Sequence, residues 1–383
     1  MTKKALLLSA YDAESHRHWH QLLTNGITEY EWTVISLPAR HFFWRVRSNG
    51  LSFALQHRER LIAAYDVLIA TSMIDLATLR GLVPELASIP TLVYYHENQF
   101  EYPLRETASE SRILNAQLSS ITTALCADRV LFNSEYNLYS FLSGTREFIK
   151  RMPDGLSPNI LQDIEQKSAI LPVPIQADTA VYGGDIIDYS ENIKDKGTDC
   201  IDLVWAHRWE FDKQPEVFFH ALEKLYDMSD FIALGIDVRL HVMGQSFREV
   251  PDCFQHAQKR GIHNVETWGY QNRENYFRIL ANSDIVISTA LHDFQGLGMI
   301  EAIYRGCTPV APDRVAYPEY IPEGLLYETG EPEEESTALA IKLCQILSAH
   351  PREDSNMPQT IPDVSHYLED KLISRYQEEI NAL

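Results

Sequence analysis

The sequence predicts an α/β protein of two doubly wound, Rossmann-like domains, and three observations carry that expectation. Apolar, β-branched runs of four to seven residues alternate with helical patterns along the chain, the signature of parallel sheets covered on both faces. At 383 residues the chain exceeds what one hydrophobic core supports, so two domains are the natural division. The alternation also breaks between Pro172 and Cys200, a stretch with Pro172, Pro174, Gly183, Gly184 and Gly197 and no periodicity, which reads as a linker. The expected boundaries are residues 1–175, residues 200–362, and a last helix over 363–383 that is a candidate to return to the first domain.

Taken in order, Ala5–Ala10 reads as a first strand and a helix begins near Ser15. Trp32–Leu37, Val67–Ala70, Thr91–Tyr95 and Arg129–Asn133 are the strands that follow. The pattern restarts with Ile201–Trp205, a helix over Glu216–Leu225 and the strand Asp237–Met243. It continues through Val265–Thr267 and Ile285–Ser288 to Thr308–Ala311. Residues 331–340 open a helix with acids in its first turn, where the helix dipole favours them.

Composition excludes several classes. No run approaches the ~20 apolar residues of a membrane span, and the apolar start is too short for a signal peptide before charge resumes at Asp12. Five scattered cysteines, odd in number, suggest reduced buried thiols in a cytoplasmic protein. The formal charge is −21. Residues 1–178 carry 16 lysines and arginines against 19 acids, and the remainder 17 against 35, so a polyanionic partner would have to meet the first half. Nothing in the sequence points to a protein partner.

The most informative stretch is His292–Tyr320. A buried strand leads to Asp293, then Gly296 and Gly298, then a helix from Met299 to Tyr304, then another strand. That order aims backbone N–H groups and a helix start at the loop, a seat for phosphate. Asp293 and Glu301 flank the glycines and could accept hydroxyls of a sugar, so the stretch reads as a nucleotide-sugar site. Glycines that merely let a helix pack on a sheet are the alternative.

Four further constellations stand at strand ends, where open α/β sheets bind ligands. Arg208 and Lys213, five apart after a strand, can converge on one diphosphate; a solvated surface pair is the alternative. Trp268-Gly269-Tyr270 could flank a base, or be core aromatics. His96-Glu97-Asn98-Gln99 is a polar cluster after an apolar strand, and a neutral His96 there could hydrogen-bond a sugar hydroxyl; a structurally satisfied histidine is the alternative. Arg40-His41-Phe42-Phe43-Trp44-Arg45-Val46-Arg47 interleaves aromatics with arginines, as stacking on bases and neutralising phosphates require; a helix edge with snorkelling arginines is the alternative. His16, His18 and His20 alternate, but on a helix that spacing scatters them, and no carboxylate pattern or Asp-x-Asp accompanies them. No metal or other cofactor is expected.

Taken together, these stretches resemble one family. Arg208, Lys213, Asp293 and Glu301 resemble the retaining GT-B glycosyltransferases. More narrowly, LPARHFFWRVR (37–47), YYHENQFEYP (94–103), FNSEYNLYSFL (132–142), HRWEFDKQPEVFF (207–219) and HDFQGLGMIEAIYRGCTPVAP (292–312) resemble the tRNA-queuosine α-mannosyltransferases.

The resemblance implies two domains facing each other across a cleft, GDP-mannose as donor, and retaining transfer of mannose to the cyclopentene-diol of queuosine in a tRNA anticodon loop. It implies that His96, Arg208, Lys213, Asp293 and Glu301 are catalytic. The donor would be held by Arg208, Lys213, Tyr270, Asp293, Phe294, Gly296, Leu297, Gly298 and Glu301. The acceptor would be met by Ser15, His16, Arg40, Trp44, Arg45, Arg47, His96, Glu97, Asn98 and Gln99. Two departures stand out: Asp293 replaces the family's usual glutamate, and Ala13-Glu14 replaces Gly-Gly before Ser15-His16. A GT-B enzyme with another sugar and acceptor, or a non-catalytic binder of nucleotide sugar or tRNA, remains the alternative.

Overall fold

The architecture was established from a computed structural model, which describes residues 2–101, 110–155, 157, 159–177, 179–182, 185–188, 200–247, 249–260, 264–349 and 361–383. Gly183, Gly184 and Gly197 of the expected linker, and Tyr102 and Pro103 of the second family motif, lie outside the described residues. The chain divides into two compact units: Met1–Pro174 with Glu369–Leu383, and Ile175–Leu368.

Unit 1 opens with β1 (Lys3–Asp12), α1 (Glu14–Gly26), β2 (Tyr30–Pro38), α2 (Phe42–Gln56) and α3 (Arg58–Leu61). It continues through β3 (Val67–Thr71), α4 (Leu76–Leu82), β4 (Thr91–Tyr95), α5 (Glu110–Cys126) and β5 (Arg129–Phe132). It closes with α6 (Glu135–Arg151), α7 (Asn159–Gln166) and β6 (Ser168–Ile170). The strands form one parallel sheet in the order β2-β1-β3-β4-β5-β6. Every residue of β3 and β4 is buried, which is why these strands read as unbroken apolar runs and not as alternations.

Unit 2 begins where the sequence suggests only a linker, yet β7 (Thr179–Tyr182) and β8 (Asp185–Asp188) pair antiparallel there. Lacking apolar alternation longer than four residues, this hairpin leaves no periodic trace. The unit proceeds through β9 (Cys200–Ala206), α8 (Pro215–Asp227), α9 (Ser229–Leu234), β10 (Asp237–Met243), α10 (Cys253–Arg260) and β11 (Val265–Gly269). Then come α11 (Arg273–Ala281), β12 (Ile285–Ile287), α12 (Leu297–Tyr304), β13 (Thr308–Pro312), β14 (Leu326–Tyr327) and α13 (Pro332–Ser348). A capping box of Glu331 and Glu334 starts α13. The second parallel sheet runs β11-β10-β9-β12-β13-β14.

After unit 2 the chain rejoins unit 1 as α14 (Glu369–Asn381). Leu372, Tyr376 and Ile380 are its buried stripe. Tyr376 donates to the carbonyls of Pro172 (2.9 Å) and Leu171 (3.2 Å), and Arg129 makes a two-pronged pair with Glu379 at 2.6 and 2.9 Å. All five cysteines are free thiols, but only Cys307 and Cys344 are buried. Among the described residues no helix is long and apolar enough to cross a membrane.

Strand order reverses direction between β1 and β3 in the first sheet and between β9 and β12 in the second. Loops leaving the carboxyl ends of such strands flank a natural crevice. One glycine fixes the loop after β9. At Gly244, which follows β10 with φ 151°, a Cβ would stand 1.7 Å from the carbonyl oxygen of His207. Gly244→Ala is therefore expected to cost about 3–5 kcal/mol, read as a fall in the thermal midpoint; an unchanged midpoint would show that the loop yields.

Candidate active site

In unit 2 the loops after β9 and β12 are laced together. Trp205 on β9 donates its indole N–H to Thr289 Oγ1 at 3.0 Å, and Thr289 donates onward to the Lys213 carbonyl at 2.6 Å. The Leu291 N–H reaches the Asp212 carbonyl at 2.8 Å. These bonds carry Lys213 into the interior, where its ammonium donates to the His292 carbonyl. The same ammonium stands 3.6 Å from Asp212 and 3.7 Å from Asp293. Arg208 keeps its guanidinium partly in solvent, 2.6 Å from Glu210 and 3.8 Å from Asp212. Asp212 is thus shared by both cations that the sequence assigns to one diphosphate.

Asp293 turns inward. Its Oδ1 accepts from the Gly296 N–H at 2.8 Å, and its Oδ2 accepts from the Tyr317 hydroxyl at 3.2 Å. Burial pushes its carboxyl upward, but Lys213, His207, His292 and the Gly296 N–H outweigh burial and hold it below the ordinary aspartate value. Gly296 sits at φ 75° as the residue before α12. A side chain there would meet the Tyr320 hydroxyl at 2.5 Å and the Tyr317 ring at 2.9 Å. At Gly298 a Cβ would come within 3.3 Å of the Tyr276 hydroxyl and 3.4 Å of the Ala206 carbonyl.

Glu301, on the second turn of α12, is buried and accepts from Arg273 on one oxygen and the Tyr276 hydroxyl on the other, both at 3.1 Å. Each oxygen keeps a lone pair for a further donor. Arg305 bonds the Glu301 carbonyl at 3.0 Å and lies 3.8 Å over the Phe277 ring. Phe294 is buried edge-on to His292, Leu297 is half-buried, and Tyr270 stands exposed just beyond β11.

Two histidines here were not singled out from sequence. His207 and His292 lie within the electrostatic reach of Lys213 and Asp293. Burial first, then Lys213, lowers His207 to about 3 and His292 to about 4. Both are neutral imidazoles at neutral pH, and the buried Nε2 of His207 has no hydrogen-bond partner. The signal was present, since each directly precedes a residue singled out as functional, Arg208 and Asp293.

In unit 1, His96 leaves the end of β4 and stacks on His16 of α1, with centroids 4.1 Å apart and planes 19° apart. Trp19 and Tyr94 meet the His96 ring edge-on at 4.9 and 4.6 Å. Burial, reinforced by the neighbouring imidazoles, holds His96 well below the ordinary histidine value, and burial lowers His16 to about 4. The buried Nδ1 of His16 and Nε2 of His96 are unpartnered.

The helical spacing does not scatter the three histidines as expected. His16 and His20, one turn apart, share the buried face of α1. His20 does have a carboxylate, Asp12 at 3.1 Å, and half-buried His18 reaches the Pro174 carbonyl at 3.3 Å. Among the described residues no three His, Cys, Asp or Glu side chains converge to hold a metal ion.

Asn98 is fully buried. Its amide N–H groups go to Asn137 Oδ1 (3.0 Å) and Ser140 Oγ (2.8 Å), and its oxygen accepts from the Phe100 N–H at 2.9 Å. Asn137 in turn bonds Asn133, and Asn133 bonds the His96 carbonyl, at 2.7 and 2.9 Å. Asn98 therefore belongs to an amide network beneath His96, not to a contact surface. Glu97 and Gln99 are half-buried, their carbonyls taken by Ser72 and Gln117, and Ser15 is exposed. Arg40, Trp44 and Arg47 are exposed about the first turns of α2, Trp44 at 76%, and Arg45 is half-buried. Arg47 is 3.8 Å from Asp75, and Arg112 lies 5.7 Å over Phe43.

Comparisons with known proteins agree with this layout. A family model described as tRNA-queuosine alpha-mannosyltransferase N-terminal matches residues 4–175, and one described as glycosyl transferases group 1 matches residues 201–349. A Drosophila melanogaster protein, tRNA-queuosine alpha-mannosyltransferase, is 36% identical over 339 residues, covering 88% of this chain and 85% of its own. The fold is shared with sucrose-phosphate synthase of Thermosynechococcus elongatus (TM-score 0.64, 11% identity, all of both chains). It is shared also with HepE of Anabaena in complex with UDP-glucose (TM-score 0.59, 13% identity, 99% and 100% of the chains). With two parallel six-stranded sheets and these matches in both units, the chain is a GT-B glycosyltransferase that belongs to the tRNA-queuosine alpha-mannosyltransferase family.

Proposed function

We propose that this enzyme transfers mannose, with retention, from GDP-mannose to the cyclopentene-diol of queuosine in a tRNA anticodon loop. The observation that carries the donor side is Lys213. A buried ammonium at a topological switch point, beside a glycine loop that opens α12, suits a departing diphosphate. Arg208 would add a planar fork from the solvent side, and Glu301 would accept the ribose hydroxyls. Asp293 with the backbone of Phe294, Gly296, Leu297 and Gly298 would hold the sugar and phosphates, and Tyr270 the base. Two cations and a helix start give the diphosphate its counter-charge, so no metal is invoked.

No protein nucleophile is assigned. The acceptor oxygen attacks the anomeric carbon on the face from which the diphosphate leaves, and the departing phosphate oxygen takes the hydroxyl proton. Negative charge grows on the diphosphate, where Lys213 and Arg208 oppose it. In unit 1 the neutral His96 can donate to a sugar hydroxyl, with His16 stacked behind it. The RNA would be met by Arg40, Trp44, Arg45 and Arg47, an arginine–aromatic set on a near-neutral half of an acidic chain. The name of the Drosophila relative supports this acceptor.

The test is mass spectrometry of tRNA nucleosides after incubation with the protein and GDP-mannose. Queuosine-containing tRNA is expected to gain one hexose on queuosine, and tRNA lacking queuosine none. A hexose gained only from another nucleotide sugar, or no gain at all, would overturn the reading.

A further inference from the structure

The acid before the glycine loop is an aspartate, and the residues around it account for that short side chain. The Tyr317 hydroxyl is 3.2 Å from Asp293 Oδ2 and 2.6 Å from Ser288 Oγ, and Ser288 Oγ accepts from the Ala290 N–H at 3.2 Å. Only one direction of donation satisfies all four groups. The Ala290 N–H donates to Ser288, Ser288 to Tyr317, Tyr317 to Asp293, and Asp293 accepts again from the Gly296 N–H. Every member is held by its neighbours, and the chain ends on the residue that opens α12. Burial, with Asp293 alongside, raises the Tyr317 phenol well above its ordinary value and keeps it a donor.

We propose that Tyr317 is a positioning residue of the donor loop, acting through Asp293, and that its hydroxyl fills the space a glutamate's additional methylene would need. This inference rests on the proposed donor site. A glutamate at 293 would carry its carboxylate about 1.5 Å further, one carbon–carbon bond, against the Tyr317 hydroxyl. It would also give up the short-range bond to the Gly296 N–H, a geometry suited to aspartate three residues earlier. Tyr317 is fully buried and its hydroxyl is also bonded to Ser288, so it has little room to recede.

The experiment is a double-mutant cycle of Asp293→Glu, Tyr317→Phe and both together, read by kcat and KM for GDP-mannose and by calorimetric affinity for GDP. Asp293→Glu is expected to lower kcat/KM at least about 30-fold and Tyr317→Phe about 5-fold. The double variant should recover about 10-fold over Asp293→Glu, because removing the hydroxyl frees the space. Thermal midpoints separate this from a merely structural role, which would lower the midpoint while leaving KM for donor in place. Losses that multiply in the double variant would overturn the proposal. If the wild-type protein transfers no mannose, the functional reading fails on its own. The cycle in GDP affinity then still decides whether Tyr317 and Asp293 are coupled.

Discussion

Lys213→Met is expected to lower kcat/KM by about three orders of magnitude, roughly 4 kcal/mol of transition-state stabilisation, while the protein stays folded. The ammonium is buried against Asp212 and Asp293 and bonded to the His292 carbonyl, so it cannot be replaced by solvent cations. Methionine matches the length of the stem and removes the charge together with the bond to the His292 carbonyl. Loss of the positive centre brings Asp212 and Asp293 into uncompensated proximity, so affinity for a diphosphate should collapse with turnover. Arg208→Ala should cost less, because its guanidinium is half in solvent and shares its charge with Glu210. Single-turnover transfer and GDP titration measure both. Equal losses in the two variants would mean that burial does not set the contribution of each cation.

The second large effect is on stability. Four imidazoles are held neutral by burial: His16 and His96 in unit 1, His207 and His292 in unit 2. In the unfolded chain each takes up a proton near pH 6.5. In the folded chain His16 and His292 do so only near 4 and His207 near 3. Below pH 6.5 the unfolded state therefore binds more protons, and folding stability falls as pH falls. Each histidine contributes a slope of about 1.4 kcal/mol per pH unit, so two in one unit give nearly 3 kcal/mol per unit. Asp12 and Asp293, both held low, add to the loss further down. Urea midpoints measured between pH 7.5 and 5 should drop steeply, and His16→Asn should flatten the dependence in unit 1. A flat profile would show that these rings are already protonated or solvated in the folded protein.

Most of this was legible from residue order, and the exceptions have physical causes. Strands buried on both faces announce themselves as β-branched runs, and β10 begins and ends where the pattern says. Lys213 and Asp293 stood out because chemistry at strand ends is local: each lies within a few residues of the strand that delivers it. Asn98 was misleading because a polar cluster has the same look in sequence whether it faces solvent or an amide network such as Asn133 and Asn137 provide. The Asp12–His20 pair was missed because its members are separated by a strand-to-helix turn whose path no periodicity encodes. Tyr317 was hidden for the same reason, 24 residues from the carboxylate it serves.

Unit 1 is discontinuous, and that has a bearing on how the protein is made. Its first 174 residues leave the ribosome long before Glu369–Leu383 do. Until then the faces of Trp19 and Tyr94 that meet Tyr376, and the surface around Gly26 that receives Ile373, have nothing over them. The amino-terminal half must wait, partly assembled and sticky, through the synthesis of an entire second unit. A nascent chain stalled short of residue 369 should accordingly recruit chaperones and resist protease poorly, whereas a chain that includes α14 covers these faces with that helix.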